Sequence, residues 1–295
     1  MTIVRKAVWG SWIAFAMLVA APAGAQTQDP APQPTAAAQP AAPAQAPVTA
    51  DPDTRLDPLQ PDFTLVALPT TLRMPQGKFD FRVTHRFLRS LGSGWSDVFN
   101  NFFEFDSGAQ IGLEVRYGLF KGTDVGVHRT SDRTIQIFGQ QSIWQEGDQR
   151  PISLDAIVTL EGLNNLRGQK SSALGVLASR RIEKIAAVYA EPIFVVNTNP
   201  LSDASGMDKN TFMVGLGGRV RVSRSAYVVG EITPRLAGYM PGANQISFGV
   251  EGRVGGHTFQ VNFSNGYGTT LGQLARGGVD NHSWFIGFNI SRKFF

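Results

Sequence analysis

Alternation with a period of two is the feature of this sequence that most narrows its fold. Ile111, Leu113, Val115 and Tyr117 share one parity, while Gln110, Gly112, Glu114 and Arg116 share the other. A strand sends successive side chains to opposite faces, so such a run is a ribbon with one apolar and one polar side. The same split recurs at 152–160, 212–222, 246–254, 259–263 and 284–290. Soluble sandwiches alternate as well, and strand length separates the two cases. The runs extend over about 10 to 14 residues, longer than soluble strands and near the length that crosses a bilayer at a tilt.

The pattern predicts twelve strands, near 78–88, 109–119, 122–130, 133–143, 151–161, 171–181, 184–197, 210–222, 226–238, 244–254, 257–265 and 283–294. Long connections around 89–108, 162–170, 198–209 and 266–282 alternate with tight turns such as Lys121-Gly122, Ser223-Arg224-Ser225 and Gly255-Gly256. Outer-membrane barrels have this rhythm, with short periplasmic turns, longer outer loops and an even strand count. Two connections depart from it: the Ser131-Asp132 tip is short for an outer loop and 144–150 is long for a turn. The expected fold class is all-β, a transmembrane antiparallel up-and-down β-barrel of about twelve strands.

Composition agrees. Only 17% of residues are charged, glycine and phenylalanine are abundant, and cysteine is absent. Without cysteine there is no disulfide framework, thiol nucleophile, zinc ribbon or lipid-modified cysteine anchor. The mean hydropathy of −0.08, with no long apolar run after residue 21, argues against a helical membrane protein. The formal charge of +4 drops to +2 without Arg5 and Lys6. That balance leaves no electrostatic footprint for nucleic acid.

Arg5 and Lys6, the apolar run at 12–20 and the small-residue site Ala23-Gly24-Ala25 have the form of a secretory signal peptide. Residues 1–25 are therefore expected to direct export through the inner membrane and to be removed. Residues 26–76 begin as Ala, Pro and Gln, with Pro30, Pro32, Pro34, Pro40, Pro43 and Pro47. Such a segment is expected to be a largely disordered periplasmic tether, a spacer or a contact for a periplasmic partner through 26–60. The barrel then occupies 77–295, its apolar faces against outer-membrane lipid.

If lipid meets the apolar faces, the polar faces line the lumen with Asp80, Arg82, Arg86, Glu114, Arg116, Asp155, Glu161, Arg219, Arg221, Glu251 and Arg253. Acidic and basic groups opposed across a pore set a transverse field that orients small polar solutes. The same groups, paired, would instead fill the interior. Eight-stranded barrels are filled and sixteen-stranded ones open, so twelve strands allow either.

Catalytic signals are weak. Phe263-Ser264-Asn265-Gly266 is similar to the Ser-Asn-Gly element of outer-membrane phospholipases, which carry a histidine two residues before the serine. Here that position is Asn262, and His257 lies an odd number of residues away, hence on the other face. An acyl hydrolase is thus the least favoured reading, and no enzyme is expected. His85, His128, His257 and His282 show no metal-ligand spacing, so neither metal nor cofactor is expected. His85 has the parity of Phe79, Phe81, Val83 and Phe87, which suits an aromatic girdle. Gly92-Ser93-Gly94 and Gly215-x-Gly217-Gly218 lack the strand–turn–helix context of a phosphate loop. Trp95 to Phe105 has the pattern of a short amphipathic helix in the first long loop. Phe294-Phe295, after an alternating strand, resembles the signal read by the barrel-assembly machinery, with Phe294 rather than Phe295 in phase.

The runs HRFL at 85–88, FEFDSGAQIGLEVRYGLFKGTDVGVHRTSDRT at 103–134, FGVEGRVGGHTFQVNFSNGYGTT at 248–270 and WFIGFNISRKFF at 284–295 resemble a family of bacterial outer-membrane barrels, domain of unknown function 5777. The resemblance spans about 77–295 and implies the barrel fold. It implies no substrate and no catalytic residues. The leading expected function is passage of small polar solutes. A second, of another class, is a closed barrel that scaffolds a periplasmic or surface partner.

Overall fold

The computed structural model describes residues 57–92, 108–201 and 208–295. Among them run strands β1 (Phe79–Phe87), β2 (Ala109–Phe120), β3 (Thr123–Thr130), β4 (Ile135–Trp144), β5 (Ser153–Gly162), β6 (Lys170–Ile182), β7 (Ala186–Val196), β8 (Thr211–Arg221), β9 (Ala226–Thr233), β10 (Arg235–Gly238), β11 (Gln245–Val254), β12 (His257–Ser264) and β13 (Phe285–Phe294). Neighbours pair antiparallel, and β1 pairs with both β2 and β13, which closes the sheet into a barrel. β9 and β10 both pair with β8 and are two parts of one staircase, interrupted at Pro234, whose carbonyl still accepts from Val214 N. Proline has no amide to give the ladder. The barrel therefore has twelve strands among the described residues, as the spacing predicts.

The two faces separate as period two requires. Leu113, Val158 and Val250 point outward and are 48%, 55% and 60% exposed, whereas Glu114, Asp155, Thr159 and Glu251 point inward and are buried. No helix among the described residues is long and apolar enough to cross a membrane; the strands do so. At the short-turn end Gly122 and Gly255 adopt φ of 78° and 57°, left-handed geometry that suits glycine in tight reversals. The closing seam is marked by Phe79 stacked on Phe294, ring centroids 4.3 Å apart.

The N-terminal boundary needs correction. The tether expected to run to residue 76 ends earlier, because residues 57–75 enter the barrel. Leu65 N donates to Leu68 O at 2.8 Å and Thr70 N to Phe63 O at 2.8 Å, a small hairpin bridged at Thr64 and Pro69. Phe63, Leu65, Val66, Leu68 and Met74 are at most 1% exposed. The Ala/Pro/Gln bias gives way to Leu, Phe and Val from Leu59 onward, and those side chains have apolar area to bury. The signal-peptide segment, the tether over 26–56 and the Trp95–Phe105 helix lie outside the described residues.

A second element enters from the long-loop end. The helix Leu271–Arg276 begins at Thr270, whose side chain accepts from Gln273 N in a capping box, and Leu271 through Ala275 are all buried. Hairpin, helix and one side of the wall form a single apolar cluster: Leu65 and Leu68, Leu271 and Leu274, with Ile157, Leu177, Ile193, Val195 and Met213.

Candidate functional site: the occupied lumen

The inner wall is divided. On β5–β9 it carries Ile157, Leu177, Tyr189, Ile193, Met213 and Val229, all buried. Around β1–β4 and β11–β13 it carries amides, hydroxyls and charges. The hairpin's leucines face the apolar side, while its carbonyls are met by polar side chains from both sides.

Side chains of the wall bind the hairpin's backbone. Tyr227 Oη donates to Pro58 O at 2.9 Å, Arg219 Nη2 to Thr64 O at 2.7 Å, Gln260 Nε2 to Leu65 O at 2.9 Å, Asn289 Nδ2 to Val66 O at 2.9 Å and Gln140 Nε2 to Thr70 O at 2.8 Å. At the tip the direction reverses. Glu231 accepts from the amides of Val66, Ala67 and Leu68, each at 3.0 Å. A hairpin this short leaves its tip amides without internal partners, and buried backbone groups need one.

The tip also needs room. A Cβ on Gly215 would lie 2.7 Å from Leu68 Cδ2, and one on Gly217 would overlap Leu65 Cδ1. These two β8 glycines are sockets for the leucines, a more specific role than relief of crowding. Further down, Asp62 accepts from Ser291 Oγ at 2.8 Å and Lys293 Nζ at 3.1 Å. Phe63 lies between Arg116 and Lys293, with the charges 5.2 and 5.7 Å from its centroid.

The sequence-predicted lumen residues divide by depth. Arg82 meets Glu114 at 2.8 Å and also donates to Thr64 Oγ1 of the hairpin. Arg116 meets Asp124 at 2.5 Å, and Arg219 meets Glu251 at 3.0 Å. Arg86 donates to Asn289 Oδ1 at 2.8 Å, and Asp155 accepts from Gln140 at 2.7 Å. Glu161 receives Arg276 at 3.2 Å, together with Thr270 Oγ1 and Gly272 N from the inward helix. Arg253 is half-buried near the end of β11. Arg221 does not line the lumen: at the end of β8 it folds into the turn and donates to Ser223 O and Arg224 O. Its parity is correct, but it lies beyond Arg219, where β8 has already left the lumen for the turn.

Sequence reasoning missed Glu231, Gln140 and Lys293, together with the apolar inner wall. One signal was present. In β7, AAVYAEPIFVV is apolar at both parities, the mark of a strand dry on both faces.

The serine and histidine weighed for hydrolysis are apart. Ser264 points inward, with Ser247 Oγ at 3.1 Å and Gly266 N donating to it at 3.2 Å. His257, at the opposite end of β12, lies beside Arg292. His85 stacks on Phe288 at 4.6 Å on the outer face.

What remains open inside is small. A cavity of about 20 Å³ separates hairpin from helix, among Thr64, Ala67, Arg82, Phe138 and Leu271, space for about one water. A hollow of about 320 Å³, lined by Asp132, Tyr267, Gln273 and Arg276 among others, sits at the long-loop mouth.

These features define a membrane-spanning β-barrel whose lumen is closed by parts of its own chain. The chain belongs to the membrane bound beta barrel domain family (DUF5777), whose model matches residues 62–294 and so includes most of the hairpin. Among solved structures it is similar to an outer membrane channel from Pseudomonas putida F1, with a TM-score of 0.48 and 11% identity over 75% of this chain and 97% of that one. The NanC porin gives 0.49 and 13% over 74% and 99%. The KdgM porin, solved in complex with disordered oligogalacturonate, gives 0.45 and 9% over 74% and 99%. No curated protein matches the sequence.

Proposed function

We propose that this chain is an outer-membrane barrel shut at rest by its N-terminal hairpin, and that small polar solutes pass only when the hairpin leaves the lumen. The observation that supports this most directly is the hairpin's position: residues 57–75 fill the space through which solutes would move. With the short turns on the periplasmic side, the hairpin enters from the periplasm and residue 57 leads back there. The tether over 26–56 then remains in the periplasm, free to meet a partner. Withdrawal would expose Arg82, Glu114, Arg219 and Glu251 to water, and their mixed signs would favour polar solutes over one class of ion.

Thr71 Oγ1 and Ser179 Oγ are 2.5 Å apart and join hairpin to wall. The chain has no cysteine of its own, so the double variant Thr71→Cys/Ser179→Cys forms one defined bridge. In planar bilayers the reduced variant is expected to show rare conductance steps that disappear on oxidation and return with reductant. Steps that persist through oxidation would remove the hairpin as the gate. Silence of both forms at all voltages would favour the scaffold reading, which the closed lumen also suits.

We also propose Phe294 as the residue through which the assembly machinery reads the chain, with Phe295 an addition to the signal. Phe294→Ala is expected to lower the amount of folded, heat-modifiable barrel in membranes several-fold. Deletion of Phe295 alone should change it little. Equal loss in both would contradict the assignment.

A further inference from the structure

The hairpin is bound as a ligand would be, and its binding site belongs to the wall. Seven wall side chains donate to its carbonyls, Thr258 and Arg86 besides the five above, and one carboxylate accepts its tip amides. These contacts read main chain, which every peptide has. Specificity comes from side-chain contacts, chief among them the glycine sockets for Leu65 and Leu68 and the Lys293–Ser291 pair that receives Asp62, with smaller contributions from Phe63, Thr64 and Thr71. The covalent link from this ligand to the barrel is a short exposed turn at Gln76 and Gly77, tied to the wall by Gly77 N donating to Gly118 O at 2.8 Å, and a Cβ on Gly77 would touch nothing.

We propose that the lumen of this barrel is a peptide-binding site for an apolar β-hairpin with an acidic residue ahead of two leucines three positions apart, and that residues 57–75 are its resident ligand. Such a site accepts a matching peptide in trans once the resident is free to exchange. It recognises the peptide backbone by the pairing that a sheet uses, with side chains in place of a neighbouring strand. The apolar wall of β5–β9 then supplies the burial that makes occupancy favourable. The inference goes beyond passage of solutes and holds whether or not the barrel conducts.

The test uses the full chain with a protease recognition sequence inserted between Gln76 and Gly77, cut after the barrel has folded. The probe is a fluorescent synthetic peptide of residues 57–76. In denaturant too mild to unfold the barrel, the probe is expected to replace the severed segment, reach one per barrel and be displaced by unlabelled peptide. A peptide with Leu65→Ala and Leu68→Ala should bind about a thousandfold more weakly or worse, as expected for two buried leucines. The Gly217→Val barrel should reject the probe, and the peptide variants give the same information if that barrel does not fold. Failure of the probe to enter the cut barrel, or equal binding of a scrambled peptide, would overturn the proposal. Neither result depends on conductance, so a failed gate and a failed peptide site are told apart.

Discussion

In the Glu231→Ala barrel, the amides of Val66, Ala67 and Leu68 are expected to exchange with solvent about a hundred to a thousand times faster than in the parent, as an opening eased by about 3–4 kcal/mol requires. The three amides meet one carboxylate, each at 3.0 Å, in a buried setting. A hydrogen bond to a charged group contributes about 1.5–3 kcal/mol, and contacts that share an acceptor add incompletely. Alanine also leaves three buried donors with no partner, and the tip can recover them only by moving toward water. Glu231→Gln keeps one acceptor oxygen but loses the charge, so it should fall between the two. The strand ladder of β9 with β8 and β11 is untouched, and amides there should keep their protection. Uniform loosening of hairpin and barrel would mean that Glu231 supports the wall rather than the tip.

How much of this was visible beforehand depends on which interactions repeat. The barrel was legible because it rests on a regular device, one apolar face every second residue, repeated over Ile111 to Tyr117 and through the closing strand. Even the irregular Pro234 disturbed it only by splitting one strand in two. The hairpin was not legible, since residues 59–75 have no period and gain their structure from the wall. Proline at 52, 58, 61, 69 and 75 reads locally as a tether, and most wall partners of the hairpin's carbonyls lie seventy or more residues away. Charge along the strands identified the lumen only in part. Glu231 stands among Tyr227, Val229 and Thr233, a face with little polar signature, and nothing local marks it as the receiver of a turn. The apolar inner wall was hidden by the assumption that all greasy faces meet lipid, which β7 contradicts with apolar residues at both parities.

Arg219 and Arg221 make the same point quantitatively, because alternation cannot tell them apart. Arg219 donates through one nitrogen to Glu251 at 3.0 Å and to Thr64 O at 2.7 Å, and both charged side chains are wholly buried. Removing it strands the Glu251 carboxylate with Gln260 Nε2 at 3.0 Å as its remaining donor. Breaking a buried pair from one side costs about 3–5 kcal/mol, because the surviving charge is left without compensation. Arg219→Ala should therefore lower the urea midpoint of the barrel in detergent by that amount divided by the unfolding slope. Arg221→Ala, which loses only contacts to turn carbonyls, should stay within about 0.5 kcal/mol of the parent. Glu251→Gln alone should also destabilise, now by stranding Arg219. The double variant Arg219→Ala/Glu251→Gln removes both charges and should recover most of the loss, a coupling of about 2 kcal/mol or more. If the two single losses simply add, the buried pair is not what holds this part of the lumen, and the weight shifts to the apolar contacts of Leu65 and Leu68.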